Sequence, residues 1–363
     1  MAFPIRAFSK GQIDKAGLVL LLPFPNVDEI FQALNVINNW RSCHSYPLQI
    51  IKMTLLKRAK KITRQALIAQ RLKRLPSIEL KLLHNPNMKL SQMQDIGGCR
   101  AVLDTVSQVK KLVDVYEKTK ARNPEGRPVW VDKYDYISYP KPDGYRSIHL
   151  IYKYNSVVKE KQPFNGQRIE IQIRSTLQHT WATAVEIAQT FTGQALKSKI
   201  KHASASWLRF FALMGTAIAL REKSPPVPGT PTDRDELVAE LRELEKKERI
   251  IQQLSAWGGA VQLLQSHPSH AHTFLLILDP VAMTLIVRPF QKDKMPEAQE
   301  EYLAEEKNLG KDSQKQVVLV AVESLDALRK AYPNYWADTG AFISAVRAEI
   351  EPAKAERAKK PKA

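Results

Sequence analysis

The run Arg168-Ile169-Glu170-Ile171-Gln172-Ile173-Arg174 alternates strictly, so its isoleucines face a core while Glu170, Gln172 and Arg174 share the opposite face. An acid, an amide and a cation aimed into one space suit a phosphorylated ligand. A second carboxylate, Asp95, opens Asp95-Ile96-Gly97-Gly98-Cys99-Arg100, where the glycine pair lets backbone approach a ligand closely. Asp95 and Glu170, from separate strands, can bracket a divalent metal through oxygen ligands.

Tyr134-Asp135-Tyr136-Ile137-Ser138-Tyr139 passes through the turn Pro140-Lys141-Pro142-Asp143-Gly144 into Tyr145-Arg146-Ser147-Ile148-His149. Apolar periodicity accounts for Ile148, Leu150 and Tyr152. It gives no reason for a Tyr-Arg-Ser-His series at the mouth of a strand, where an aromatic can stack on a base and cations can meet phosphates. Arg71, Arg74 and Lys81, expected to line up on helix before and just after Pro76, would neutralise a triphosphate whose charge grows during transfer. In Gln178-His179-Thr180-Trp181-Ala182, His179 shares a helical face with Thr183 and Glu186, although a helical histidine is more often structural than catalytic.

These residues need a scaffold of mixed type. Helical spacing from Val27 to Leu83 (Ile30, Leu34, Ile37, then Leu55, Leu56, Ala59, Ile62) predicts two or three helices, with Pro47 and Pro76 as interruptions. Strands follow at 101–103, 129–131, 148–154 and 169–173, with a helix at 106–119, and helices resume at 176–191 and 203–222. Four prolines in Ser224 to Pro231 mark a stiff connector. Beyond it a charged helix opens at Thr232, capped through Thr232-x-x-Asp235. Strands at 273–278, 284–287 and 316–322 and a helix from Ser324 complete a second unit. The domains expected are therefore 1–222, with a helical lead-in at 24–90 and an α/β core at 91–222, a linker at 223–231, a C-terminal module at 232–350 and a basic tail at 351–363.

Taken in order, these motifs resemble the synthetase domain of the RelA/SpoT family, the alarmone synthetases. The resemblance rests on Arg71, Lys73, Ser77, Ile78, Lys81 and Leu82, on Asp95 to Arg100, on Asp135 to His149, on Glu170 to Arg174 and on Gln178 to Ala182. Upstream, Asn39-Trp40-Arg41-Ser42-x-His44-x-Tyr46-Pro47-Leu48 is similar to the helical lead-in of single-domain members, so the likeness covers about 24–222. It implies a nucleotidyltransferase-like mixed sheet flanked by helices. The implied reaction transfers pyrophosphate from ATP to a ribose 3'-hydroxyl and releases AMP. By resemblance, Asp95 and Glu170 would be catalytic and hold Mg2+, with Glu170 also a candidate acceptor for the hydroxyl proton. Arg71, Lys73, Ser77, Lys81, Arg100, Lys141 and Arg174 would bind ATP and its phosphates. Tyr145 would stack on the acceptor base, with Arg146, His149, Gln172 and His179 around it. No motif of the family's hydrolase domain is found, and no second adenine-stacking arginine follows Arg100 between Leu103 and Gln108.

Composition bears on the acceptor. A net charge of +18 points to polyanions, and Lys52 to Lys89 holds eleven Lys or Arg against one acid, Glu79. That favours the 3' end of tRNA over GDP or GTP, because a stem offers several phosphates and binding gains from released counterions. Tyr332-Pro333-Asn334-Tyr335 resembles a Tyr-x-x-Tyr segment of the fused, CapRel-like toxin–antitoxin branch, whose C-terminal module resembles a zinc finger without metal ligands. It implies that Tyr332 and Tyr335 dock near the ATP pocket and hold the enzyme off until a trigger, such as a phage protein, releases it. His267, His270 and His272 have no cysteine beside them and read as a polar loop. Cys43 and Cys99 stand apart, which fits a reducing cytosol, and no apolar run reaches the ~18 residues a membrane span needs. A pyrophosphokinase making guanine alarmones, or an RNA-binding protein with a decayed site, are the alternatives.

Overall fold

The computed structural model describes residues 3–22, 26–120, 126–192, 205–260, 262–265, 271, 273–309, 315–322 and 325–351. The three histidines at 267, 270 and 272 and the basic tail lie outside them. Helices α1 (Lys10–Val19), α2 (Val27–Ser42) and α3 (Ser45–Lys60) lead into strand β1 (Leu67–Leu72) and helix α4 (Leu75–His84). Strand β2 (Gly97–Leu103), helix α5 (Val106–Lys120) and strands β3 (Val129–Asp135), β4 (Ile148–Lys153) and β5 (Arg168–Ser175) follow, then helices α6 (Thr176–Thr192) and α7 (Ala205–Arg221).

Two expectations fail between α3 and α4. Residues 67–72 are strand, not helix, because Ile68 and Leu72 are needed in the core beneath the sheet while Ala69 meets the C-terminal core above it. Pro76 starts α4 instead of interrupting a helix, since its missing N–H costs nothing in a first turn, and Pro47 likewise sits in the first turn of α3. Arg71 and Arg74 are therefore not helical. Arg71 lies in β1 and Arg74 is the N-cap of α4.

After the proline-rich segment come α8 (Arg234–Glu248), α9 (Ile250–Ala260), β6 (Gln262–Gln265), β7 (Thr273–Asp279), β8 (Thr284–Phe290), α10 (Met295–Lys307), β9 (Gln316–Ala321), α11 (Leu325–Ala331), a 3-10 turn (Pro333–Trp336) and α12 (Gly340–Ile350). The cap of α8 is Asp233, not Thr232: its carboxylate accepts from the Asp235 and Glu236 amides, where charge and helix dipole agree. Helix α8 stops at Arg249, which is left-handed at φ 50°.

One mixed sheet runs β3-β4-β5-β2-β1-β9-β7-β8-β6. Strands β2 and β5 are parallel, and β1 lies antiparallel to both β2 and β9. Beneath one face, α3 and α5 bury Leu55, Val109 and Leu112 against Ile169, Ile171 and Ile173. Burying a side chain of this size is worth about 1.5–3 kcal/mol relative to leaving it exposed. The proline-rich segment does not divide the molecule. Its Val227 is buried, the Val227 amide donates to Thr216 of α7, and α6, α7, α8, α9 and α12 share one apolar core. Among the described residues no cluster of three His, Cys, Asp or Glu suits a metal, and no helix is long and apolar enough to cross a membrane.

Candidate active site

The register assembles the polar face. Glu170 of β5 pairs with Gly98 of β2, and Gly98 with Arg71 of β1; two residues along, Gln172 pairs with Arg100. A Cβ added to Gly98 would touch nothing within 4 Å, so open space lies over the strand beside Glu170. Arg71, Lys73, Asp95, Glu170, Gln172 and Tyr332 line this pocket.

Asp95 stands between two cations. Lys73 Nζ donates to its Oδ2 at 2.7 Å and Lys81 Nζ to its Oδ1 at 2.9 Å. Burial pushes the Asp95 carboxyl up, but the two ammonium groups outweigh it and hold it well below the usual range. For Lys73 the balance is reversed: burial outweighs Asp95 and lowers it. The backbone around Lys73 is gripped from three sides. Its amide donates to the Ile96 carbonyl (2.8 Å), its carbonyl accepts from Arg41 Nε (2.9 Å), and two residues on the Leu75 amide donates to Glu306 Oε1 (3.1 Å). Arg41 and Glu306, both buried, are themselves paired at 2.5 Å, and Tyr302 bonds both. Arg74 Nη1 donates to Gln316 of β9. Ser77 lies in the first turn of α4.

The acceptor side is one hairpin and its turn. Gly144 has φ +92°, and a Cβ there would lie 2.9 Å from the Trp181 ring and 3.1 Å from the Phe211 carbonyl, so only glycine fits. The Glu170 carboxylate accepts from His149 Nδ1 (2.9 Å) and from Gln172 Nε2 (2.6 Å). Burial raises the Glu170 carboxyl, but His149 outweighs it and holds it low, so Glu170 is ionised at neutral pH and Nδ1 is the donor. His149 Nε2 in turn lies within hydrogen-bond distance of the Tyr145 hydroxyl, at 2.9 Å. Burial pushes the Tyr145 phenol up to about 12, which keeps it a donor. Lys141 Nζ lies 4.2 Å from the Tyr136 ring centroid and 5.4 Å from that of Tyr145.

Four expected ligand residues are otherwise engaged. Arg146 is buried and donates to the carbonyls of Ile137 (3.2 Å) and Pro225 (2.5 Å), so it ties the proline-rich segment down and does not face an acceptor. Arg174 Nη2 donates to His179 Nδ1 at 2.5 Å, which leaves His179 Nε2 to donate to the Lys330 carbonyl at 3.0 Å. Burial, then Arg174 and Arg100, hold His179 neutral, and burial with Arg100 lowers Arg174 to about 9. Arg100 Nη1 donates to the Ala331 carbonyl, with its guanidinium 5.6 Å from the Tyr332 ring centroid. The Ala331 carbonyl and the ring of Tyr332 thus sit on Arg100, a cation expected to meet phosphate, and the Lys330 carbonyl sits on His179. Tyr335 is buried below, close enough to Arg74 and Arg71 to feel their charge.

The basic run divides. Arg71, Lys73 and Lys81 attend the polar face and Arg74 turns to Gln316 of β9, whereas Lys57 and Lys61 are exposed on or just after α3, behind the sheet. Sequence reading missed Glu306 and Tyr302, which sit in a helix whose Glu300, Glu301, Glu305 and Glu306 look like a solvated face.

Residues 70–192 match the family described as "Region found in RelA / SpoT proteins". Every expected site residue except Tyr332 and Tyr335 falls within it. Two relatives from Bacillus subtilis are similar to parts of the chain. GTP pyrophosphokinase YjbM is 32% identical over 101 residues, 27% of this chain and 43% of the relative. GTP pyrophosphokinase YwaC is 33% identical over 91 residues, 25% and 40% respectively. The chain thus spans less than half the length of these relatives. Among solved structures, the small alarmone synthetase 2 from B. subtilis is 19% identical with a TM-score of 0.41, covering 52% of this chain and 94% of that one. The small alarmone synthetase 1 from B. subtilis, bound to its product pppGpp, is 22% identical with a TM-score of 0.36, covering 60% and 94%.

Proposed function

We propose that this chain is an ATP-dependent pyrophosphokinase that transfers pyrophosphate to a ribose 3'-hydroxyl and releases AMP. The observation that carries the proposal is the pairing of two ionised carboxylates, the half-buried Asp95 and the buried Glu170, beside the open space over Gly98, with Arg71, Lys73 and Lys81 around them. Two carboxylates with space for phosphate oxygens are a donor set that fits Mg2+, which takes few protein ligands and leaves the rest to substrate and water. Asp95 and Glu170 would hold it, and it would neutralise charge on the transferring phosphates. Lys73 and Lys81, now on Asp95, are placed to exchange that partner for the triphosphate. Glu170 accepts the hydrogen bond of the attacking hydroxyl, and the Tyr145–His149–Glu170 chain fixes the base platform relative to it.

The acceptor favoured is the 3' end of tRNA. Strand β3, which leads into the acceptor turn, is the sheet edge, and the net charge of +18 favours a polyanionic acceptor. Modification there would stop translation, in keeping with a toxin and with anti-phage defence. Tyr332 in the pocket lining supports an inhibitory C-terminal unit that a phage protein or another trigger would displace. A guanine nucleotide acceptor is the second reading, favoured by the names of the curated relatives.

The full chain incubated with ATP labelled in its γ-phosphate, together with tRNA, GDP or GTP, tests this. Label on tRNA supports the first reading and label on the guanine nucleotide the second. Label on neither, or transfer that survives Glu170→Ala, overturns the pyrophosphokinase assignment.

A further inference from the structure

Two aromatic residues on the acceptor side have no use in the reaction as described. Tyr134 and Tyr136 stack on each other with ring centroids 6.1 Å apart and planes within 8°. Both are only partly buried, and neither belongs to any of the apolar clusters of the molecule. They are nonetheless held in place. Tyr134 pairs across the hairpin with His149, and the neighbouring Asp132 raises its phenol. The Tyr136 ring meets His149 edge-on at 5.2 Å and the Tyr145 ring at 6.0 Å. The Tyr136 amide donates to the Ser147 carbonyl, which fixes its backbone to the hairpin.

The rings therefore form a continuous aromatic path from Tyr145, beside the catalytic carboxylate, through Tyr136 to Tyr134 on the edge strand. Lys141 lies over the inner part of the path, where it can meet a phosphate between two stacked nucleotides. The other acids of the segment are occupied, Asp135 by the Ile137 and Ser138 amides and the Ser138 hydroxyl and Asp143 by the Tyr145 amide. Tyrosines that do not pack into a core and are immobilised on an open edge are what sequential bases of an unpaired strand require, since every base has a face to stack.

Resting on the RNA reading above, we infer that Tyr136 and Tyr134 are a subsite for the unpaired nucleotides that precede the 3'-terminal nucleoside of an RNA acceptor. The terminal base lies on Tyr145, and the preceding ones follow the path to the sheet edge. A lone nucleotide reaches only the first position.

The test compares transfer by the full chain to the trinucleotide CpCpA and to adenosine 5'-monophosphate, with tRNA and GDP in parallel. The expected result is a KM for CpCpA raised about tenfold by Tyr134→Ala or Tyr136→Ala, with kcat unchanged and the KM for adenosine 5'-monophosphate unmoved. Tyr134→Phe and Tyr136→Phe, which keep the ring, are expected to retain the wild-type KM and to control for folding. An equal rise for both acceptors, or no rise for CpCpA, overturns the subsite while tRNA labelling leaves the RNA reading standing. Label that reaches GDP alone overturns both.

Discussion

The two halves of the candidate site are built in opposite ways. The acceptor half is local: Tyr145, His149 and Lys141 come from one hairpin and its turn, and its rings stay partly open to solvent. The phosphate half is assembled from distant pieces. Lys73 follows β1, Lys81 lies in the last turn of α4, Asp95 precedes β2, and the backbone between Lys73 and Leu75 is held by Arg41 from α2 and Glu306 from α10. The difference teaches that the C-terminal unit serves as scaffold for the phosphate half. Removing it would strip β1 of β9 and α6 of its partners in the shared core, so a truncated chain cannot report on inhibition alone.

The largest expected effect breaks this contrast at its anchor. Glu306→Gln leaves the Arg41 guanidinium buried without its charge partner, and a loss of about 3–5 kcal/mol in stability is expected by urea denaturation, with a raised KM for ATP. Arg41→Met with Glu306→Met should recover much of the stability yet keep the raised KM. If KM recovers as well, the pair does not position Lys73.

A smaller effect comes from acid. His44, buried beneath Gly97 at the head of β2, gives its Nδ1 proton to the Trp40 carbonyl, and burial lowers it from 6.5 to about 4. The unfolded chain then binds this proton more readily, so the stability tied to neutral His44 is full above pH 6.5 and lost as pH falls towards 4. The loss should reach about 2 kcal/mol by pH 5. His179, also held neutral by burial, acts in the same direction. Hydrogen exchange at pH 5 should open β1 and β2 before the β3–β4 hairpin, and His44→Gln should flatten the profile. Equal opening of both halves would erase the distinction.

The smallest effect concerns the cover. Tyr332→Ala should lower the KM for ATP about five- to tenfold, as expected if a contact of about 1–1.4 kcal/mol keeps the pocket closed most of the time. An unchanged or raised KM would make Tyr332 a structural neighbour and not a lid.

The same contrast explains what the sequence disclosed. Alternation placed Glu170, Gln172 and Arg174 on one face, and the turn chemistry around Gly144 announced the hairpin, because both signals are local. Strand β1 was read as helix because five of its six residues suit helices, and its strand state is imposed by β2 and β9 on either side. Arg146 looked like a ligand because its neighbours in sequence are, while its partner, the Pro225 carbonyl, is 79 residues away. Glu306 gave no signal at all, since a buried acid whose partner is 265 residues distant is indistinguishable from a surface one.

The position of β1 between β2 and β9 also sets an order of events during synthesis. Strand β9 follows β1 by roughly 240 residues, and at about 5–20 residues per second the ribosome needs on the order of ten seconds to a minute to deliver it. Throughout that interval β1 is an unpaired edge and the Lys73–Leu75 backbone lacks Glu306. The nascent chain completes the β3–β4 hairpin early, whereas Glu306, which holds the Leu75 amide, and Tyr332, which lines the pocket, emerge within one later stretch of translation.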